Sequence, residues 1–231
     1  RCALTGGQFG IHNGVGNHGG ACADRPVDGS ERSFRDSLSQ HGYANLLKKA
    51  GLWTAYIGGF GERHSAYWYY SGFREILDTG KNGNEAAEEV TPSVLDWIER
   101  KGAGDNWYLH VNYWDPHTPY RAPDAFGNPF ENEPLPDWVT EEKLEQDWKK
   151  AGPHSAQDFN MYDNRTYDFR PRQPGEVKGM DGFRRVIDGY DCGVRYMDGH
   201  IGRILGALEA KGVLDDLIVI VSSDHGENLG E

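Results

Sequence analysis

The sequence predicts an α/β fold, a mainly parallel sheet flanked by helices. Short apolar runs alternate with helix-period segments along the chain, the pattern of such folds. Polar clusters come directly after those runs, at Gly58 to His64, Asp115 to Tyr120 and Asp224 to Glu227. Open α/β sheets collect their chemistry at that place, beyond the carboxyl ends of the strands. A long amphipathic stripe also begins after Asp181: Phe183, Val186, Ile187, Tyr190, Val194, Met197, Ile201, Ile204, Leu205 and Leu208 fall on one helical face.

Arg1 to Gly20, rich in Gly, Asn and His, reads as a short helix start and then loop. Leu46, Leu47 and Ala50 stand at helical spacing, with Gly51 placed to end the helix in a left-handed turn. Trp53 to Ile57 reads as a strand that stops at Gly58-Gly59. Glu85 to Arg100 is the next helix, with Val90, Val94, Leu95 and Ile98 on one face. Pro92 is expected to kink or restart it, and Gly102 and Gly104 close it. Trp107 to Tyr113 is a strand ended by Asp115-Pro116. Pro116 to Lys178 is dense in Pro, Asn, Asp and Trp and shows little period. A stretch of that length suggests a substrate-side insertion, at about 116–180, holding short helices. The stripe after Asp181 ends at Gly212, and Leu217 to Val221 is expected to be a buried strand.

The chain has 231 residues, enough for one large α/β domain or two small ones. Hydrophobic residues make up 37% and the mean hydropathy is -0.72, as in an enzyme with long polar loops or a piece lacking core partners. The 7 Trp, 12 Tyr and 9 Phe are too many for a disordered chain. A net charge of -12 argues against general nucleic-acid binding. It leaves a small anionic substrate open, because local cations or a metal outweigh net charge at a site. No apolar run approaches the ~20 residues that cross a bilayer. The first residue is Arg, so any leader would lie upstream. Cys2, Cys22 and Cys192 make no disulfide framework and no zinc spacing, and lean towards a reducing, cytoplasmic setting. Asn164-Arg165-Thr166 matches a glycosylation acceptor, which matters only in a secreted chain.

Each polar cluster admits a chemical and a plain reading. Asp224-His225-Gly226 offers a hard carboxylate and an imidazole to a divalent metal, or is a turn. In Asp115-Pro116-His117-Thr118-Pro119-Tyr120 two prolines stiffen the loop around His117, which suits a substrate contact or a rigid surface loop. Glu62-Arg63-His64 suits an oxyanion, or is a surface ion-pair group. Cys2 beside Arg1 is a reactive thiolate or a small buried side chain.

Together these clusters resemble the sulfatases of the alkaline-phosphatase superfamily in order and spacing. The family's nucleophile motif runs Cys (or Ser)-x-Pro-Ser-Arg and then Thr-Gly-Arg. Arg1-Cys2-Ala3-Leu4-Thr5-Gly6-Gly7-Gln8 looks like that motif from its Arg onward, and Phe9-Gly10-Ile11-His12-Asn13-Gly14-Val15 looks like the adjoining segment of one bacterial branch. The family's Gly-Lys-Trp-His segment is replaced by Gly58-Gly59-Phe60-Gly61-Glu62-Arg63-His64, which lacks the Lys and is similar to a branch using Phe-x-x-Arg-His. Asp115 to Tyr120 is similar to the substrate His loop, and Ser223-Asp224-His225-Gly226-Glu227 to the C-terminal metal motif.

The resemblance implies an alkaline-phosphatase-like fold and hydrolysis of a sulfate ester by a formylglycine nucleophile with a divalent metal, calcium or alternatively manganese or magnesium. Arg1, Arg63, His64 and His117 would be catalytic, Arg63 and His117 would hold sulfate, and Asp224 and His225 would ligate the metal, with Glu227 behind them. Arg63, His64, His117, Asp224 and His225 are expected to meet at one end of the sheet. The formylglycine and an Asp-Asp metal pair would lie upstream of Arg1, and a Lys and a smaller subdomain beyond Glu231. Residues 1–231 would then be a partial catalytic domain, incomplete at both ends, inactive alone and weak in calcium binding. A small sulfated substrate is implied, a carbohydrate if Trp138 and Trp148 line a cleft rather than pack the insertion. A phosphodiesterase or phosphonate hydrolase of the same superfamily, a non-catalytic binding module and a plain α/β domain remain as alternatives.

Overall fold

In the computed structural model, residues 1–15, 41–149, 172–174, 177–227 and 229 are described. Helices α1 (Cys2–Gly6), α2 (Gly10–Asn13) and α3 (Tyr43–Lys49) precede strand β1 (Trp53–Ile57). Then come helix α4 (Phe60–His64), strand β2 (Glu75–Leu77), helix α5 (Ala87–Lys101), strand β3 (Trp107–Val111), helix α6 (Glu141–Trp148) and helix α7 (Met180–Ala210). The chain divides into two units, one of residues 1–113 and 204–219, the other of 114–203 and 220–231.

The first unit is built on a parallel sheet of order β2-β1-β3. Strand β1 is central, and its alternate residues go to opposite faces, as the two-residue period of a strand requires. Ala55 and Ile57 enter an aliphatic core with Val90, Val94, Trp97 and Ile98 of α5 and Leu208 of α7. Tyr56 instead meets the rings of Tyr69, Tyr70, Phe73 and His110 at centroid distances of 5.3 to 5.5 Å. One face is therefore mainly aliphatic around Trp97, and the other is built of aromatic rings. Flanking helices and a parallel sheet are the fold the sequence predicts.

Helix α5 starts at Ala87 rather than Glu85, which leaves the Glu85 side chain outside the helix. It also runs through Pro92 without a break. One lost N–H costs less than burying Val90, Val94, Trp97 and Ile98 together returns. Glu88 and Glu89 lie in its first turn and Arg100 and Lys101 in its last, matching the helix dipole. Strand β2 and helix α4 are not foreseen by the sequence pattern, because three and five residues are too short to show a period.

The second unit holds a core of Tyr120, Val139, Leu144, Val177, Phe183, Val186 and Ile187. Trp148 packs against it, and Trp138 meets Phe183 at 6.1 Å while staying 37% exposed. The stripe expected along α7 is interrupted. Phe183, Val186 and Ile187 are buried, Val194 is exposed, and Cys192 and His200 are buried in the middle stretch. Tyr196, His200 and Phe126 meet there ring to ring, so aromatic contacts replace the aliphatic stripe.

Residues 217–221 form no strand, contrary to the expectation of a buried one. Ile218 is 92% exposed and Ile220 79%. Apolarity reports a preference for burial, whereas a strand also needs a neighbour to take its N–H and C=O groups. Among the described residues no strand pairs with this run.

Candidate functional site

The first unit carries Arg1, Arg63 and His64, and Phe60 links two of them. Arg1 is the N-cap residue of α1, and its guanidinium lies 4.3 Å from the Phe60 ring centre. A cation over an aromatic face is held electrostatically by the ring quadrupole. The His64 ring lies 4.8 Å from the same Phe60 ring. Arg1 Nη1 also donates to Asn112 Oδ1, just beyond the end of β3. Asn112 is buried, and its Nδ2 has no hydrogen-bond partner among the described residues. The close approach of Gly58 to Asn112 explains the first glycine: a Cβ at Gly58, where φ is 145°, would stand 2.9 Å from the Asn112 Cβ.

Arg63 and His64 come from α4, a helix too short to form alone. Its first amides are taken by side chains from elsewhere. Gly59 N–H donates to Glu85 Oε1 at 2.9 Å, Phe60 N–H to Tyr56 Oη at 3.3 Å and Gly61 N–H to Tyr70 Oη at 3.2 Å. Tyr70 in turn donates to Glu62. Burial and the Glu62 carboxylate raise the Tyr70 hydroxyl pKa, so it stays a neutral donor. Arg63 Nη1 donates to the Gly83 carbonyl at 3.3 Å.

Behind this corner lies an aromatic network around His110. Its Nδ1 is 2.9 Å from Tyr43 Oη and its Nε2 is 3.2 Å from Tyr69 Oη. Withdrawal from water, and then the charge of Arg1, hold the imidazole pKa down to about 4. His110 is therefore neutral at ordinary pH, which spares the site a second cation beside Arg1.

The second unit carries His117, Asp224 and His225. Arg121, fully buried, fixes the His117 loop. Its Nη1 lies 2.9 Å from the Trp114 carbonyl, 2.7 Å from that of His117 and 3.0 Å from that of Pro119. The loop seats on α7 where glycines permit it. A Cβ at Gly193 would come within 2.7 Å of the Asp115 carbonyl, and one at Gly189 within 2.6 Å of the Tyr120 ring. Sequence reasoning misses Arg121, and no spacing in the sequence marks it.

The His117 and His225 rings stand 6.0 Å apart, so the structure brings these two together. His117 Nδ1 is 2.6 Å from the Thr118 carbonyl and His225 Nδ1 is 2.7 Å from the Gly226 carbonyl. A carbonyl only accepts, so each Nδ1 carries a proton. His225 Nε2 lies 4.0 Å from Asp224 Oδ2. An imidazole with its far nitrogen on a carbonyl is the usual arrangement of a metal-binding His. Asp224 and His225 thus suit a divalent cation in kind, but not in number. Among the described residues no group of three or more His, Cys, Asp or Glu side chains is arranged to hold a metal. Nor, among them, is any helix long and apolar enough to cross a membrane. Cys2 and Cys192 are buried free thiols, and burial raises the Cys192 pKa, the opposite of a reactive thiolate. Cys22 and the Asn164 acceptor lie outside the described residues.

Comparison with known proteins gives a consistent result. The family model described as "Sulfatase" matches residues 2–231. The chain is similar to choline-sulfatase of Rhizobium meliloti, 27% identical over 232 residues, covering 82% of this chain and 43% of that protein. It is similar to human iduronate 2-sulfatase, 28% identical over 170 residues, covering 68% of this chain and 28% of that protein. A third relative is the multifunctional alkaline phosphatase superfamily protein PehA of Trinickia caryophylli, 28% identical over 143 residues, covering 61% of this chain and 27% of that protein. The chain thus spans less than half the length of each of these relatives.

Proposed function

Because this chain belongs to the sulfatase family, we propose that the intact protein hydrolyses the sulfate ester of a small molecule. The family match across residues 2–231 carries the reading. Polar clusters in the family's order support it: Arg1, then Arg63 and His64, then His117, then Asp224 and His225.

In this reading Arg63 and His117 hold sulfate oxygens. Arg63 offers a fork of donors, and His117 sits on a loop that Arg121 keeps in one conformation. His64 gives a proton to the departing ester oxygen. Arg1, fixed by Phe60 and Asn112, steadies negative charge on the attacking oxygen. A formylglycine, at the family's position upstream of Arg1, supplies the nucleophile. A divalent cation, when bound, neutralises charge on the sulfate oxygens. Calcium is the first choice, manganese and magnesium the alternatives. Asp224 and His225 contribute two of its ligands, and calcium prefers roughly 6 to 8 oxygens, so further ligands complete the shell. The 231 residues alone are therefore inactive and bind calcium weakly. Residues 116–180 form the substrate-side insertion. The exposure of Trp138 leaves one ring free to meet a sugar face, whereas Trp148 is used in packing.

A second reading is hydrolysis of a phosphodiester or phosphonate monoester by the same residues, and the likeness to a protein named as a multifunctional member of the alkaline phosphatase superfamily keeps a chemistry other than sulfate in view. The test is a substrate panel on the intact protein: an aryl sulfate, a choline-type alkyl sulfate, a sulfated sugar and an aryl phosphodiester. The sulfate reading expects at least one sulfate ester to turn over about tenfold or more faster than the phosphodiester, one decade being about 1.4 kcal/mol of transition-state preference. The reverse ranking would establish the second reading. No turnover of any of them, with the metal and formylglycine verified, would leave a binding module.

A further inference from the structure

Glu85 belongs to none of the clusters in the family pattern, yet it is a fully buried carboxylate beside them. It is 0% exposed, and it lies ahead of α5 rather than within it. One carboxylate oxygen accepts the Gly59 N–H at 2.9 Å, and the other has no hydrogen-bond partner among the described residues. A buried acidic side chain is costly to keep, so its position calls for a physical reason.

The geometry around it supplies one. A Cβ at Gly59 would stand 2.7 Å from Glu85 Oε1 and 2.9 Å from the Gly83 backbone nitrogen, so residue 59 is glycine because the segment 83–85 lies against its backbone. Two residues before Glu85 is Gly83, buried and in a left-handed conformation with φ 74°. A Cβ there would meet Arg63 Cδ at 2.5 Å, and the Gly83 carbonyl accepts from Arg63 Nη1 at 3.3 Å. The short segment 83–85 thus grips α4 twice. Glu85 holds the backbone at its start, and Gly83 holds the side chain of Arg63 near its end.

We propose that Glu85 is a positioning residue which, with Gly83, clamps α4 at both ends and so fixes the aim of Arg63 and His64. The clamp matters for turnover on the reading that Arg63 contacts the sulfate group. A helix of five residues has little stability of its own. Its orientation is set by whatever satisfies its free amides. Tyr56 and Tyr70 accept the next two amides, and the Tyr56 hydroxyl also lies close to Gly58, but neither accepts the Gly59 amide in the Gly58-Gly59 turn from which α4 departs. Glu85 accepts the Gly59 amide of that turn, while the Leu77 carbonyl takes the Gly58 amide.

The experiment combines amide exchange with kinetics on the intact protein carrying Glu85→Ala, Glu85→Gln, Arg63→Ala, or Glu85→Ala with Arg63→Ala. Glu85→Gln keeps a carbonyl oxygen for the Gly59 amide. Exchange at residues 59–64 should quicken by about tenfold or more in Glu85→Ala, with β1 and α5 unchanged, and return to within about threefold of wild type in Glu85→Gln. With an aryl sulfate, kcat/KM should fall by roughly ten- to a hundredfold in Glu85→Ala, as displaced catalytic groups do. The double variant should lie within about threefold of Arg63→Ala alone, because both changes remove one interaction. Unchanged exchange at residues 59–64 in Glu85→Ala would overturn the clamp, and so would losses that simply multiply. If Arg63→Ala leaves turnover intact while exchange responds as expected, the clamp stands and the sulfate role of Arg63 falls.

Discussion

Two regions hold the residues singled out by the sequence, and they are built in contrasting ways. Around α4, Arg1 and His64 lie on a buried Phe60, and three side chains from other elements accept the helix's first amides. Around Asp224 and His225 the His225 side chain is exposed and that of Asp224 half-buried, and the apolar run before them is open from Ile218 onward, with Val221 69% exposed. An arginine's position can thus be set by local packing, whereas a carboxylate in the metal role proposed for Asp224 would need its co-ligands. An arginine is held by a ring and a carbonyl within one small unit. A calcium shell is shared among many oxygens, and two donors define only a fraction of it.

That contrast can be broken by substitution. The largest effect is expected for Asp224→Ala in the intact protein. Loss of a metal ligand removes several kcal/mol of transition-state stabilisation, so metal-dependent turnover should fall by roughly 10³-fold with an unchanged melting profile in the absence of metal. An equal rate would mean that Asp224 lies outside the metal shell. Next comes the core of the first unit. Trp97→Ala removes a fully buried ring that donates to Glu75 at 3.0 Å, and should cost about 3–5 kcal/mol in denaturant unfolding. By contrast Ile218→Ser should stay within about 0.5 kcal/mol if that residue is as bare as its 92% exposure indicates. A larger loss would show that something covers it.

The aromatic network predicts a pH effect. His110 has its pKa lowered from 6.5 to about 4 in the folded state, so the unfolded chain binds more protons between those values. Stability from this group is full above pH 6.5 and is lost as pH falls towards 4, by up to about 3 kcal/mol. His110→Gln should flatten that part of the stability curve relative to wild type. An unchanged slope would mean that His110 is not held neutral. A small effect, with no loss of turnover, is expected for Cys2→Ala. The side chain is buried, so about 1 kcal/mol of stability is lost, while turnover persists. Loss of activity with the fold intact would make Cys2 a participant and shift the alignment of Arg1.

Much of the fold is legible in the sequence, because length and period are strong signals. Strand β1 and helices α5 and α7 emerge where apolar residues repeat over many positions. The short elements are not legible: β2 is Glu75–Leu77 and α4 is Phe60–His64, and each owes its form to tertiary hydrogen bonds. The run 217–221 misleads for the opposite reason, since its composition is that of a strand but no partner pairs with it among the described residues. The chemistry-bearing residues announce themselves by type and motif order. Their supports do not: Glu85 and Asn112 act through contacts far along the chain, to Gly59 and Arg1, and Arg121 acts locally but through backbone carbonyls that no side-chain pattern marks.

The sulfate-ester hydrolysis proposed here depends on Arg63, which α4 carries and the Gly83 carbonyl holds. The most direct measurement is the initial rate of inorganic sulfate release from an aryl sulfate by the intact protein, wild type against Arg63→Ala, in calcium. Steady sulfate release is expected from the wild type and a fall of roughly a hundredfold in Arg63→Ala, the scale of one charge-stabilising donor. Equal sulfate release by the two proteins would contradict it.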